Sequence, residues 1–250
     1  QSVWERMRLW MLLGVTSASV GGWMGVRMSA RCASHTPGER VVPLRVPQSP
    51  YEDRLIIEQV LQLYCGTVDV DFTQKAVATE YFTRWFQKSP SYDDFLRQKL
   101  SPLMEASPKF ASRWRKTVDG KLALIVLWDQ VSRNIYRDTP AMFARDEQCV
   151  ELCRDAITSG EDRKLNLGRR SILYMPLMHA ESVADQELSM RMFLALAREC
   201  PDVFGNSLAF AKAHFDIIVR FGRFPHRNSI LGRESTEEEI EFLQQPNSSF

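Results

Sequence analysis

The sequence predicts an all-α domain. Three observations lead there: from Tyr51 onward apolar residues recur at helical rather than alternating spacing, the prolines fall near the ends of the periodic stretches, and no series of short alternating segments marks a sheet. "KLALIVLW", residues 121–128, has the apolar density of a buried strand, but it runs into "DQVSRNIY" without a turn signal, so helix is the reading there too.

Taken in order, "DRLIIEQVLQLYCG" sets Leu55, Ile56, Val60, Leu63 and Tyr64 on one face and stops at Gly66, a residue suited to a helix C-terminus. Further helices are expected over 81–87, 92–100, 120–136, 141–158, 169–178, 182–199, 207–221 and 236–243. Ser235 followed three residues later by Glu238 reads as a capping box that opens the last of them. Pro102, Pro108, Pro140, Pro201 and Pro225 fall at the expected joints, and Pro176 lies late in its helix. The outcome is eight or nine helices of modest length with short connections. No 34-residue self-similarity is present, so periodicity alone does not establish a repeat array.

Composition sets the outer limits. With 250 residues and 28.8 kDa the chain suffices for one sizeable core. Hydrophobic residues at 44% and charged ones at 25% exclude a disordered chain and a multi-span membrane protein. A net charge of +1 gives no global attraction for nucleic acid, which is not an expected partner. Cys32, Cys65, Cys149, Cys153 and Cys200 form no CxxC pair, so neither a disulfide framework nor a structural zinc site is indicated.

The two ends of the chain divide it into three parts. Residues 1–34 form a basic and hydrophobic segment in which 9–26, "LWMLLGVTSASVGGWMGV", carry no charge and are flanked by Arg6 and Arg8 before and Arg27 and Arg31 after. Eighteen helical residues span about 27 Å, close to the hydrocarbon core of a bilayer, so Leu9 to Val26 are expected to form a short membrane helix, with Gly21 and Gly25 at GxxxG spacing. The competing reading is a targeting peptide, because no acid occurs between Arg6 and Gly38. Residues 35–50, "HTPGERVVPLRVPQSP", hold four prolines and read as an extended tether. Residues 51–250 are the helical domain.

Polar residues in apolar surroundings are the candidate site. Asp129, Gln130, Arg133 and Asn134 interrupt the apolar helix of 120–136, and Asp129 and Arg133 stand at i,i+4 in a good orientation for an ion pair. Such a set is either a structural network or one wall of a polar pocket. "YMPLMHAESVADQE" adds His179, Glu181, Asp185 and Gln186 around a helix start. His179 and Glu181 could join His214 and His226 on a metal, but no HExxH pairing supports this and no metal or other cofactor is called for. No GxSxG elbow is present. From Val219 to Arg233 the chain carries Arg220, Arg223, Arg227 and Arg233 with no acid, and His226 lies among them. These arginines either satisfy internal acids such as Asp129, Glu181 and Asp185 or form an anion-binding pocket with His179, Glu181, His214 and His226.

The strings "YFTRWFQKSPSYDDFLRQ", "LALIVLWDQVSRNIYRDTPAMFARD", "LYMPLMHAESVADQE" and "HFDIIVRFGRFPHRNSILGREST" together resemble the DUF924 family, over about residues 80–243. The resemblance implies a TPR-like superhelical stack of antiparallel helix pairs and no defined reaction. Its motif positions include Asp129, Gln130, Arg133, Asn134, His179, Glu181, Asp185, His214, Arg223, His226 and Arg227. The family usually reads DQFPRN and HSE; here Val131 and Ser132 replace Phe and Pro, Trp128 replaces Leu, and Ala180 replaces Ser. The hydrophobic segment and tether lie outside the shared domain.

Two functions follow as expectations. The first is a non-catalytic accessory subunit of a larger organellar membrane complex, with protein subunits as partners and the mitochondrial inner membrane, or alternatively a plastid membrane, as its place. The second is an enzyme or small-anion-binding protein that uses the Arg, His and Glu residues around one pocket.

Overall fold

The computed structural model describes residues 41–246 together with Ser248 and Ser249. The expected membrane or targeting segment, residues 1–34, and the first part of the tether, 35–40, lie outside the described residues. The fold is all-α, with no strand among the described residues.

Residues 41–49 are extended, as their prolines require, and lie along a helix further down the chain: Leu44 N–H donates to Lys99 O at 2.9 Å and Lys99 Nζ to Val42 O at 2.8 Å. Helix α1 (Pro50–Cys65) follows, with Ser49 Oγ accepting from Glu52 N–H and proline at its first position. It ends at Gly66 with φ +79°, where a Cβ would fall 2.1 Å from the Tyr81 hydroxyl, so only glycine fits. Its buried face is Ile56, Ile57, Val60, Leu61, Tyr64 and Cys65. Leu55, expected on that face, is 49% exposed, because the helix turns the Ile57–Leu61–Cys65 row toward its neighbours instead.

Helices α2 (Lys75–Phe86) and α3 (Pro90–Ala106) start earlier than their apolar patterns suggest. Ser89 caps α3, and Pro102 lies inside it rather than at a joint. A short turn, Ser107–Lys109, leads to α4 (Ala111–Trp114) and then to α5 (Val118–Ile125), capped by Thr117. The chain continues without a break through a π-helical turn, Val126–Val131, into α6 (Ser132–Ile135). Leu122 to Val131 are all buried, the run to Trp128 as a helix apolar on every side must be and Asp129 and Gln130 with it, and this rod is the centre of the domain. Around it pack α1, α3, α7 (Asp146–Thr158) and α8 (Leu167–His179).

The expected helix over 141–158 is two elements, a 3₁₀ turn at Pro140–Phe143 and then α7. Asn166 caps α8 and Ser182 caps α9 (Val183–Glu199). One residue, Cys200, joins α9 to α10 (Pro201–Phe221), and the two pack as a helical hairpin. A turn at Pro225–Arg227, α11 (Asn228–Leu231) and α12 (Glu237–Leu243) complete the chain. The capping box of α12 is formed by Thr236 and Glu239, one residue beyond the expected pair; Ser235 Oγ instead accepts from Asn228 Nδ2 at 3.0 Å.

Aromatic residues close the N-terminal end. Trp85 stacks near Tyr64 and Phe72, and its indole N–H donates to Tyr64 O at 2.8 Å, satisfying a carbonyl at the end of α1. No helix among the described residues is long and apolar enough to cross a membrane.

Candidate functional site

The π turn determines where the central polar residues point. Ser132 N–H reaches Leu127 O, five residues back, and the Ser132 hydroxyl donates to Trp128 O at 2.7 Å. The proline usual for the family at this position would supply neither bond. The turn directs Trp128 to one side, where its indole donates to Ser107 Oγ at 2.8 Å, and Asp129 to another.

Asp129 is fully buried. Arg133 stands 3.0 Å from its Oδ1, the i,i+4 pair expected from sequence, and His179 Nδ1 is 2.8 Å from the same oxygen. The Gln130 amide contacts Oδ2, while Gln130 Oε1 accepts from the Tyr64 hydroxyl at 3.2 Å. Burial opposes the charge on Asp129, but Arg133 and His179 outweigh it and hold the carboxyl below its usual range. An ionised Asp129 can only accept, so His179 carries its proton on Nδ1. Burial pushes the His179 pKa down despite Asp129, leaving a neutral ring whose Nε2 is a lone-pair acceptor.

Arg133 also binds Asp146 Oδ2 at 2.8 Å, and Arg227 approaches that oxygen at 3.5 Å. The Arg227 guanidinium lies between the Phe143 and Phe224 rings, 4.6 and 4.4 Å from their centres, and donates to His179 O at 3.0 Å. Burial, then repulsion from Arg133, lowers its pKa to about 10. Arg227 Nε and Asp146 Oδ1 are left without a partner among the described residues.

Three histidines surround this centre. His214 donates Nδ1–H to Phe210 O at 2.8 Å, its ring centre 6.4 Å from that of His179, and burial drives its pKa well down. His226 packs near Phe224 and falls to about 4, through burial and then the charge of Arg227. Glu181 closes the set: it accepts from Phe224 N–H at 2.8 Å and from both Arg233 terminal nitrogens at 2.6 and 2.9 Å, a bidentate fork that holds it ionised against burial.

The fold therefore brings together Asp129, Gln130, Arg133, His179, Glu181, His214, His226 and Arg227. It places three sequence candidates elsewhere. Asn134 donates to Asp93 at 2.7 Å beside Arg137; Asp185 accepts from Arg154 Nε at 2.7 Å; Arg223 forks onto Glu239 at 2.7 and 2.8 Å. The arginine-rich loop meets internal acids, as one reading expected: Glu181, one of the three acids named, holds Arg233, while the others are Glu239 and Asp146, with Glu238 on the surface. Asp129 and Asp185 are served by Arg133 and Arg154, which lie nearer in the chain than the loop does.

Sequence reasoning missed Asp146, the acid two arginines share, and Phe143, which stacks on both. Both lie in the string "TPAMFARD", whose resemblance to the family was the one signal available. No group of three or more His, Cys, Asp or Glu side chains among the described residues is placed to hold a metal ion.

Comparison with known proteins agrees with this architecture. Residues 68–247 match the family described as a bacterial protein of unknown function, DUF924. No curated protein matches the chain. A solved protein of unknown function from Agrobacterium tumefaciens is similar at 32% identity and a TM-score of 0.59, over 68% of this chain and 97% of that one. With most of its length matched in sequence and two thirds of it matched by an all-helical relative, the protein belongs to the DUF924 family.

Proposed function

We propose that this protein is a non-catalytic subunit of a larger organellar membrane assembly, mitochondrial inner membrane in the first instance and plastid as the alternative. Its helices, stacked as antiparallel pairs in a TPR-like superhelix, offer the docking surface, and residues 9–26 bring it to the bilayer. One observation carries this reading: the charged residues of the family motif are occupied with one another. Asp129, Asp146, Glu181 and Glu239 each already hold an arginine, which is what a structural network needs and leaves few groups for a substrate. The pairing of Arg220, Arg223 and Arg233 with glutamates also favours a protein partner over nucleic acid.

The test is native electrophoresis of mildly solubilised organelle membranes, with mass spectrometry of the band that holds this chain. A band far heavier than 28.8 kDa with reproducible companions is the expected result. Migration of the chain by itself would overturn it.

A second reading, a small-anion site, has one observation in its favour: Arg227 Nε and Asp146 Oδ1 are open beside the neutral His179. Thermal stabilisation by phosphate or acetate that disappears in Arg227→Lys would support that reading instead.

A further inference from the structure

A cleft of about 280 Å³ lies beside the π turn, outside the polar network. Its floor is apolar, with Leu124, Leu152 and Pro108 around the Trp128 ring. Its rim is cationic. The Arg145 guanidinium lies 4.7 Å from the centre of the Trp128 ring, which holds it in place without an acid, and its bonded acceptor is the neutral Gln148 amide at 2.8 Å. Among the described residues no carboxylate forms an ion pair with Arg145. Arg115 has Glu151 at 3.9 Å, with both side chains more than half exposed, a pair that contributes little.

The cleft thus combines two guanidiniums, one loosely engaged carboxylate and an apolar floor with an aromatic wall. Each feature selects. A free cation is repelled by the rim. An inorganic anion leaves the floor unused, and a neutral apolar body leaves the guanidiniums without the planar acceptor their geometry suits. The volume sits near the lower end of ligand sites, which begin at roughly 300 Å³, so the fitting body is about one ring or one branched side chain. The π turn supplies a second, independent observation, since such turns are frequent at functional sites and this one puts Trp128 into the cleft.

We infer that the cleft between Trp128, Arg145 and Arg115 binds a carboxylate carried on a small apolar or aromatic body, either as a free organic acid or as an acidic residue beside an aromatic one in a peptide. The inference is independent of the accessory-subunit reading, and its test uses the purified chain alone.

Phenylacetate, its neutral isostere phenylacetamide, and the blocked dipeptide acetyl-Phe-Asp-amide are titrated while the Trp128 indole and Gln148 amide resonances are followed by NMR. Saturable binding of a carboxylate probe, about tenfold tighter than phenylacetamide, is expected. In Arg145→Gln that preference should vanish. In Glu151→Gln carboxylate binding should tighten, a gain that a damaged fold would not produce. The dipeptide outbinding phenylacetate identifies a peptide as the source, and the reverse identifies a free acid. Equal affinity for phenylacetate and phenylacetamide, no saturation by any probe up to about 10 mM, or weaker binding in Glu151→Gln would each overturn the inference.

Discussion

Asp129 and Glu239 are both buried carboxylates held by arginine, but one lies in the central rod and the other in the C-terminal clip of the domain. Around Asp129 the network spans the fold, with His179 arriving from 50 residues away and Arg227 reaching Asp146 across 81. Around Glu239 the partners are near in sequence: Arg223, Asn228 and its own Thr236 cap, at separations of 16, 11 and 3. The central network also contains neutral histidines, whereas among the described residues no histidine hydrogen-bonds to Glu239. The difference teaches that the centre can form only when α5, α7, α8 and the loop after α10 have assembled, while the clip is close to a local unit.

The sharpest way to break the comparison is Asp129→Ala. It leaves Arg133 with one acid to share with Arg227 and removes the acceptor for His179, so a loss of about 3–5 kcal/mol is expected in urea unfolding. A loss below about 1 kcal/mol would remove the network from its structural role.

Acidity separates the two regions next. His179, His214 and His226 have folded pKa values below the ordinary 6.5, so the unfolded chain binds more protons as pH falls through 6.5. Their stabilisation is present above that point and is lost on acidification, until His226, for one, protonates in the folded protein at about 4. Each histidine contributes a slope approaching about 1.4 kcal/mol per pH unit inside its own window. Glu239, held at about 2 first by Arg223 and against burial, loses its contribution only as pH falls below the ordinary 4.5. Hydrogen exchange at pH 5 should therefore open the centre relative to pH 7 by more than it opens α12, and His214→Gln should flatten that dependence.

Arg223→Ala tests the clip. It should destabilise less than Asp129→Ala, and the loss of stability between pH 4.5 and about pH 2 should become shallower, because Glu239 without its guanidinium fork returns toward its ordinary pKa and no longer differs from the unfolded chain. Smallest of all is Arg220→Ala. Its partner Glu238 is exposed, and a change within about 0.5 kcal/mol is expected from the same urea experiment.

Helical periodicity made the fold class legible, and caps and prolines located most helix joints within a few residues. The Asp129–Arg133 pair was legible because i,i+4 spacing is a local fact of helix geometry. That the loop arginines answer internal acids was legible from charge alone; of the acids named, Glu181 is one they answer, and Asp129 and Asp185 are not. Asp146 and Glu239 are chosen by tertiary packing, and spacing along the chain carries no information about it. The π turn was equally hidden, since the run from Leu122 to Trp128 is apolar at every position and one extra residue after it breaks no visible period. Leu55 misled because an apolar residue at the edge of a face fits either side of it.

The extended strap of residues 41–49 determines how the domain would meet mechanical load. Traction applied at its N-terminal side would reach the bond from Leu44 N–H to Lys99 O, and the Lys99 ammonium on Val42, before it reached α1. Force would then enter α3 through its flank, sparing the end of α1 where Tyr64 O receives the Trp85 indole and the Arg84 guanidinium. Peeling of the strap, which breaks two hydrogen bonds and lifts Val41, Leu44 and Val46 off the core, is the step a pulling experiment should record first.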